Sequence, residues 1–246
     1  MGKKQPKLVL RESCIFDLAG TWEPASFLET GAGTGKMTQL FLDRGFHGAC
    51  YELGRRSREM LRQNLLPEGD KIRVVDDLAE LTPESFDYLF SFEVLEHIEN
   101  DESALAEWTR YLKRGGRLLI SVPARMRKYG KSDEIVGHVR RYEKADLTAM
   151  LEHCGYADIR FASYGFPLTE ITRHVSNWLV RNERAYKGLS MEQRSTQSSY
   201  RRPGVIDRGV ALFGGSLVRP FCVIQRMFYR TDLGDGYVVQ ARKPEE

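Results

Sequence analysis

Short apolar runs alternate with amphipathic stretches along most of the chain. The apolar runs predict seven strands, at 26–29, 48–52, 71–75, 86–92, 116–123, 158–163 and 236–241. A spacing of three to four residues between apolar positions predicts helices at 8–19, 36–44, 57–66, 93–108 and 144–154. Strands that alternate with helices form crossover units on a mostly parallel sheet. The pattern therefore predicts a single α/β domain over residues 1–246, with a doubly wound, mostly parallel, seven-stranded sheet.

One segment breaks this alternation. Residues 167–232 separate the last two strands, and a connection of that length is rarely without structure. Its apolar positions form one helix face over 168–179 and a second set after Leu212, kinked or split at Pro220. We predict a helical lid insertion before the last strand, and an N-terminal helical segment at residues 1–25.

Composition and charge narrow the class of protein. The chain has 246 residues, of which 41% are hydrophobic and 29% charged, and these values are ordinary for a soluble domain. Its net charge of +3 is too small to indicate a nucleic-acid partner, and we expect none. No run of 18 apolar residues occurs, and the N-terminus has no apolar run typical of a secretory signal. Four scattered cysteines without a CxxC pair predict reduced thiols, no metal site and a cytoplasmic location.

The first predicted strand continues into a glycine-rich segment, ETGAGTG, at residues 29–35. Glycines permit a tight turn and the close approach of a ligand, and the following helix N-terminus favours anionic groups. A dinucleotide-binding loop needs G-x-G-x-x-G, but Lys36 stands at the third glycine position. A P-loop needs G-x-x-x-x-G-K followed by Ser or Thr, but Thr30 and Met37 stand at its first and last positions. The spacing excludes both classes of phosphate-binding loop.

Glu52 follows the second predicted strand, 21 residues after Gly31. An acid at about this distance from a glycine loop typically binds the ribose hydroxyls of a nucleotide. The alternative is a surface acid beside Arg55 and Arg56, but its position at a strand end favours a role in binding.

The remaining pattern of the loop, acid-x-G-x-G-x-G, resembles the first motif of class I S-adenosylmethionine-dependent methyltransferases. Residues 86–97, FDYLFSFEVLEH, resemble the fourth-strand motif of the ubiquinone-biosynthesis type of O-methyltransferase and its small-molecule relatives. Residues 112–120 and 137–142 resemble further segments of these enzymes. The resemblance covers residues 27 to about 165. It implies a Rossmann-like fold, S-adenosylmethionine as cofactor and methyl transfer as the reaction.

The resemblance also implies roles for individual residues. The acid after the third strand, Asp77, would bond the adenine amino group, and Leu78 would pack on the ring, with Asp76 a less favoured substitute for the acid. Residues 91–93 would line the methionine half of the cofactor. The implied cofactor-binding set is Glu29, Gly31, Ala32, Gly33, Gly35, Glu52, Leu53, Asp77, Leu78, Phe92 and Glu93.

Methyl transfer is an in-line displacement, and much of its acceleration can come from positioning the reactants. A hydroxyl or phenol acceptor gains a further factor of about 10²–10⁴ from a general base, whereas a carboxylate acceptor needs none. His97 is one candidate base, since one helical turn after Glu93 both can share a face, although it can instead cap or pack the helix start. His138 is the other, on a loop near the mouth of the sheet, although it can instead orient that loop through Tyr142.

The acceptor is less constrained than the cofactor. Arg140 and Arg141 either bind an anionic substrate or are solvated. We expect Arg140, Tyr142 and Trp178 to contact the acceptor, with the insertion forming a lid over it. Eleven basic residues against five acidic ones give residues 167–232 a net charge of +6, and the rest of the chain carries −3. Basic amphipathic helices can lie on an anionic membrane or simply cover a pocket, so we expect an apolar or amphiphilic acceptor, with peripheral membrane contact left open.

Two other functions are compatible with the same motifs. The first is lipid modification, as in a cyclopropane synthase, which uses the same cofactor but needs a bicarbonate site that the sequence does not place. The second is a non-catalytic, cofactor-binding partner of another protein. The Asn-Pro-Pro-Tyr pattern of base-modifying methyltransferases is missing, and Ser91-Phe92-Glu93-Val94 stands in its place, which argues against a DNA base as acceptor.

Overall fold

The computed structural model describes residues 6–170 and 215–245. The strands of this part of the chain, numbered β1 to β7 in order, are Ser26–Thr30, His47–Tyr51, Ile72–Val75, Phe86–Phe92, Leu112–Pro123, Ala157–Tyr164 and Gly236–Arg242. Its helices, numbered α1 to α7, are Pro6–Ala19, Lys36–Leu42, Arg55–Leu65, Asp101–Thr109, Lys131–Val136, Lys144–His153 and Gly215–Ile224. Within these residues no helix is long and apolar enough to cross a bilayer.

The seven strands form one sheet in the order β3-β2-β1-β4-β5-β7-β6. β1 pairs in parallel with both β2 and β4, and β2 pairs in parallel with β3. The last strand, β7, is antiparallel to β5. The Ala124 N–H donates to Asp235 O and the Lys243 N–H donates to Gly116 O, so residue numbers fall along β7 as they rise along β5. The predicted Rossmann-like, mostly parallel, seven-stranded sheet is confirmed.

The described residues fall into two compact units. The first unit contains residues 22–120, 145–160 and 239–245. Its core is rich in aromatic rings, since Phe41 stacks on Phe90 at 4.2 Å between centroids, and Phe27 stacks on Phe90 at 5.3 Å. These rings fix α2 against β1 and β4, the two strands that border the glycine loop.

The second unit contains residues 6–21, 121–144, 161–170 and 215–238. Leu10 of α1 and Val218 of α7 are buried together with Leu168. The fully buried Gln225 adds a polar link, since its amide donates to Leu10 O and accepts from Gly165 N–H. The helix predicted at residues 8–19 is thus present and packs on the described end of the insertion.

Two local predictions differ from the structure. The helix predicted at 93–108 is replaced by a short 3₁₀ turn, Leu95–His97, and by α4, because Glu93 has a left-handed backbone (φ 58) that a helix cannot contain. α7 continues through Pro220, so the predicted split does not occur there. The rest of the insertion, residues 171–214, lies outside the described residues.

Candidate cofactor site and catalytic groups

The three glycines of the loop at residues 29–35 all have a left-handed backbone, with φ of 70, 57 and 82 at Gly31, Gly33 and Gly35. A Cβ on Gly31 would overlap the side chain of Val94, and one on Gly35 would lie 2.8 Å from Leu61 Cδ1. A Cβ on Gly33 would meet nothing within 4 Å. The loop is therefore packed at both ends and open in the middle, where a ligand can approach the backbone.

Glu29 and Ala32 connect the loop to the neighbouring elements α2 and β2 by hydrogen bonds. Glu29 is 2% exposed and accepts a hydrogen bond from Thr38 Oγ1 at 2.6 Å, which joins the end of β1 to the first turn of α2. The Ala32 N–H donates to Tyr51 O at 3.2 Å, and the Gly31 N–H donates to the same oxygen at 2.8 Å. The loop is thus anchored on both neighbouring elements before any ligand binds.

Glu52 joins the loops that follow β1 and β2. Its Oε2 accepts from the Gly33 N–H at 2.8 Å, and its Oε1 accepts from the Gly54 N–H at 2.9 Å. Each carboxylate oxygen has two acceptor positions, so one on each oxygen remains for a ligand hydroxyl. The next residue, Leu53, is 76% exposed, and it offers an apolar surface beside these oxygens.

The two acids after β3 differ in their partners. Asp76 pairs with Arg62 at 2.6 Å and with Arg58 at 2.8 Å, and these partners hold its pKa below the ordinary value. Asp77 caps the turn Leu78–Glu80 by accepting from the Ala79 N–H at 2.8 Å, and it has no basic partner among the described residues. Asp77 is therefore the acid without a charged partner among the described residues, and its binding to an adenine amine stays a prediction. Leu78, which is predicted to pack on the adenine ring, is buried.

The carboxyl ends of β1 and β4 hold buried hydroxyl groups without partners. Thr30 Oγ1 and Ser91 Oγ make no hydrogen bond to the described residues, although both side chains are at most 1% exposed. An unsatisfied buried hydroxyl costs about 1–3 kcal/mol and calls for a ligand or an ordered water. Glu93 follows on β4 with its left-handed backbone, a strain typical of functional sites. These groups, together with the open loop, fit a polar nucleoside cofactor such as S-adenosylmethionine.

Phe92 and His97 lie on either side of this strained position. Phe92 is buried and stacks on Phe41 with 6.2 Å between centroids, so its ring forms part of the core behind the strand end. His97 is the last residue of the 3₁₀ turn and is half-buried. The expectation that His97 and Glu93 share a helix face is wrong, because the 3₁₀ turn that contains His97 begins after Glu93, at Leu95.

His138 belongs to the second unit and is held by an acid. Its Nδ1 lies 2.9 Å from Asp133 Oδ1, and its backbone oxygen accepts from the Tyr129 hydroxyl at 2.8 Å. A carboxylate at Nδ1 fixes that nitrogen as the donor, so that Nε2 is the nitrogen able to accept a proton. Asp133 and Tyr129 thus both hold His138, and the alternative that His138 orients this loop through Tyr142 stays a prediction.

Asp133 also receives the Gly130 N–H at 2.9 Å and Arg141 Nε at 3.0 Å. Burial raises its pKa, but the hydrogen bond from His138 and the charge of Arg141 outweigh burial and hold the pKa below the ordinary value. The carboxylate therefore stays ionised beside His138. No sequence pattern marked this acid, because the helix on which it lies, α5, was not predicted.

Arg141 does not bind an anionic substrate, since it is buried and paired. Its Nη1 lies 3.2 Å from Asp235 Oδ1, and its Nε bonds Asp133. Tyr142 is 5% exposed, and its backbone bridges Pro123 and Arg125, so burial limits its predicted contact with an acceptor to a small edge. Arg140 is half-buried, and Trp178 lies outside the described residues.

Comparison with known proteins finds similarity over the part of the chain that contains the glycine loop. Residues 28–120 match the family model described as a methyltransferase domain. The chain is 28% identical over 116 residues to the ubiquinone biosynthesis O-methyltransferase of Photobacterium profundum, which covers 46% of this chain and 49% of that protein. The chain thus spans about half the length of the curated relatives it matches.

Solved structures share the fold at low identity. Phosphoethanolamine N-methyltransferase 2 of Haemonchus contortus, in complex with S-adenosyl-L-methionine, is 19% identical with a TM-score of 0.58, covering 95% of this chain and 52% of that one. The cyclase SpnF is 17% identical with a TM-score of 0.57, covering 96% of this chain and 81% of that one. Because the second of these is named for another reaction, the fold by itself does not identify the acceptor.

Proposed function

We propose that this chain, whose residues 28–120 match a methyltransferase domain, is a class I S-adenosylmethionine-dependent methyltransferase that transfers a methyl group to an oxygen, or a nitrogen, of a small apolar or amphiphilic acceptor. The observation that carries the proposal is the open space at Gly33 beside the Glu52 carboxylate. S-adenosylmethionine supplies an electrophilic methyl group when it is bound. The chain supplies the position in which that methyl group meets its acceptor.

Four features of the first unit would hold the cofactor. Glu52 has acceptor positions left for ribose hydroxyls, and Asp77 has a carboxylate for the adenine amine. The exposed Leu53 offers an apolar face to the base. The unpartnered hydroxyls of Thr30 and Ser91 offer hydrogen bonds at the strand ends. The open loop fits a ligand that approaches the backbone without a phosphate group, since its spacing matches no phosphate-binding motif.

His138 is the stronger of the two candidate bases. Asp133 orients its imidazole and stabilises the imidazolium that forms when Nε2 takes the proton of an acceptor hydroxyl. His97 remains the second candidate. An oxygen acceptor accords with the name of the ubiquinone biosynthesis O-methyltransferases to which this chain is 28–30% identical.

The test is to incubate the purified protein with S-adenosylmethionine and to measure release of S-adenosylhomocysteine by mass spectrometry. The acceptor panel contains a catechol, a long-chain phenol, a primary amine and a fatty acid. The proposal predicts turnover with at least one oxygen or nitrogen acceptor, and a methylated product of matching mass. Binding of the cofactor without turnover on the whole panel would favour the non-catalytic, cofactor-binding alternative.

A second candidate is action at a membrane surface, and the described end of the insertion favours it. Val223 is 62% exposed and Met227 is 79% exposed, and residues 215–231 contain three arginines and no acid. Of these arginines, Arg226 is paired with Asp17, whereas Arg219 and Arg230 are exposed. Apolar side chains flanked by cations are typical of helices that lie on anionic lipid.

Liposome flotation tests this candidate. We expect the protein to float with vesicles that contain phosphatidylserine and not with phosphatidylcholine alone. The double variant Val223→Ser and Met227→Ser should lose flotation, whereas Leu66→Ser, which changes an equally exposed residue of the first unit, should keep it. If wild type and all variants stay equally in the pellet with phosphatidylserine vesicles, the membrane candidate is wrong and the acceptor is a soluble molecule.

A further inference from the structure

A cavity of about 430 Å³ lies within the second unit. Its volume is in the range of sites that bind small molecules. It opens beside the 3₁₀ turn that follows β5, and its lining residues are Arg125, Arg127, Lys128, Phe166, Glu170 and Leu233. The described lining residues comprise three cations and one acid, and so carry a surplus of positive charge.

The acid of the cavity is already engaged. Lys128 is 6% exposed, pairs with Glu170, and donates from Nζ to Leu233 O at 2.9 Å and to Gly234 O at 2.8 Å. Burial lowers the pKa of Lys128, and its pairing with Glu170 opposes that effect. Lys128 and Glu170 therefore compensate one another, and neither neutralises the two arginines.

The two arginines lack counter-charges. Arg125 is 7% exposed, and its Nε makes no hydrogen bond to the described residues. Its Nη2 donates a long hydrogen bond of 3.4 Å to Gly234 O. Arg127 is exposed and has no acidic partner in the described part of the chain. A buried guanidinium with an unsatisfied N–H is costly unless an anion or a water completes it.

Other acids that adjoin the lining residues have hydrogen-bond partners of their own, including Glu143, which accepts from the Met126 N–H at 2.9 Å. Asp235 is held by Lys7 at 3.0 Å and by Arg141 at 3.2 Å, and Asp232 accepts from the Tyr237 hydroxyl at 2.7 Å. The apolar part of the lining comes from Phe166, which packs edge-on against Phe228, and from Leu233, which is 40% exposed. The cavity thus combines a cationic end, with two arginines that form no ion pair to the described residues, and an apolar wall.

We propose that this cavity binds an anionic amphiphile, with one carboxylate or phosphate group on Arg125 and Arg127 and a short apolar body against Phe166 and Leu233. Guanidinium groups bind both anions in a forked geometry, so the chemistry that the two heads share is what the site recognises. The proposal does not depend on methyl transfer, because every group that it uses lies in the second unit.

Calorimetric titration with four probes tests the proposal and separates the two heads. The probes are hexyl phosphate, hexanoate, hexanol and inorganic phosphate, all used below micelle-forming concentrations. We expect saturable binding of hexyl phosphate or hexanoate, at least tenfold tighter than that of hexanol and of inorganic phosphate. Tighter binding of hexyl phosphate identifies a phosphate site, and tighter binding of hexanoate a carboxylate site. Equal affinity for hexanol and both anionic amphiphiles would overturn the proposal.

Substitutions locate the site. Arg127→Gln should weaken binding of the preferred probe about 10- to 100-fold, the range expected for loss of a charge-assisted hydrogen bond. Arg160→Gln, which removes an exposed and unpaired arginine of the first unit, should leave it unchanged. Arg125→Lys keeps the charge but removes the fork, and it should weaken binding at unchanged melting temperature. Binding of S-adenosylmethionine should be the same in all these variants, and equal probe affinity in wild type and Arg127→Gln would contradict the assignment.

Discussion

The backbone N–H of Gly33 donates to Glu52 Oε2 across 2.8 Å, which ties the glycine loop after β1 to the acid after β2. The same carboxylate holds the Gly54 N–H through its other oxygen. Glu52 therefore shapes the loop and, with its remaining acceptor positions, faces the space that the loop leaves open. One residue couples the conformation of the loop to recognition of the ribose.

The first prediction concerns Glu52→Gln. The amide keeps one acceptor oxygen but turns an N–H₂ towards a backbone N–H, so one of the two loop contacts is lost. We expect the affinity for S-adenosylmethionine to fall about 10- to 100-fold, as for loss of one charge-assisted hydrogen bond. Calorimetric titration measures the change. Glu59→Gln, an exposed neighbour that pairs only with Arg55, should bind as wild type does.

The second prediction compares two glycines. Gly33 and Gly155 both have a positive φ, 57 and 85, and a Cβ at either would meet nothing within 4 Å. Alanine at each position should therefore cost a similar amount of stability, about 1–2 kcal/mol for a left-handed residue. Only Gly33→Ala should weaken cofactor binding, by more than about tenfold, because its Cβ enters the space proposed for the ligand. Equal cofactor affinity in the two variants at equal melting temperature would refute the loop assignment.

The sequence predicted much of this site, because glycine spacing and strand ends are local signals. The loop at Gly31, Gly33 and Gly35 follows from the spacing of its glycines, and the strand before it follows from a short apolar run. The left-handed backbone of Glu93 did not follow, since non-glycine residues rarely adopt it and no neighbouring residue marks it. The partner of His138 was also missed, because α5 is only six residues long and its pattern resembles that of a loop.

The third prediction concerns acid stability. Burial raises the pKa of Asp235, but Lys7 and Arg141 outweigh burial and hold the pKa well below its ordinary value of 3.8. Because its pKa is lower in the folded state, the Asp235 carboxylate contributes fully to the free energy of unfolding above about pH 4. That contribution is lost as the pH falls through the folded-state pKa. Asp235→Asn should lower the free energy of unfolding at pH 7 by about 3–5 kcal/mol, because the buried Arg141 and the half-buried Lys7 each lose a charged partner.

Denaturant unfolding at several pH values between 2 and 7 checks this prediction. Asp235→Asn should show a smaller loss of stability between pH 4 and pH 2 than wild type. Asp70→Asn, at an exposed and unpaired acid, should lie within about 0.5 kcal/mol of wild type at pH 7. If Asp235→Asn is as stable as Asp70→Asn, the buried ion pairs do not hold the second unit together.

The fourth prediction concerns the base. If the acceptor is a hydroxyl, His138→Ala should lower kcat about 10²- to 10⁴-fold. Its affinity for S-adenosylmethionine should be unchanged. Asp133→Asn should lower kcat as well, since the imidazole loses its orienting carboxylate. His153→Ala, at a histidine that is 81% exposed, is the matched control and should turn over normally. Full activity of His138→Ala would move the role to His97 or to an acceptor that needs no base.

The most direct measurement is calorimetric titration of the whole chain with S-adenosylmethionine and with S-adenosylhomocysteine, each up to about 1 mM. Both ligands should bind saturably with one site per chain, and Gly33→Ala should weaken both while Gly155→Ala weakens neither. If neither ligand produces a binding isotherm with folded wild-type protein, the open loop at Gly33 is not a cofactor site and the proposed methyl transfer is wrong.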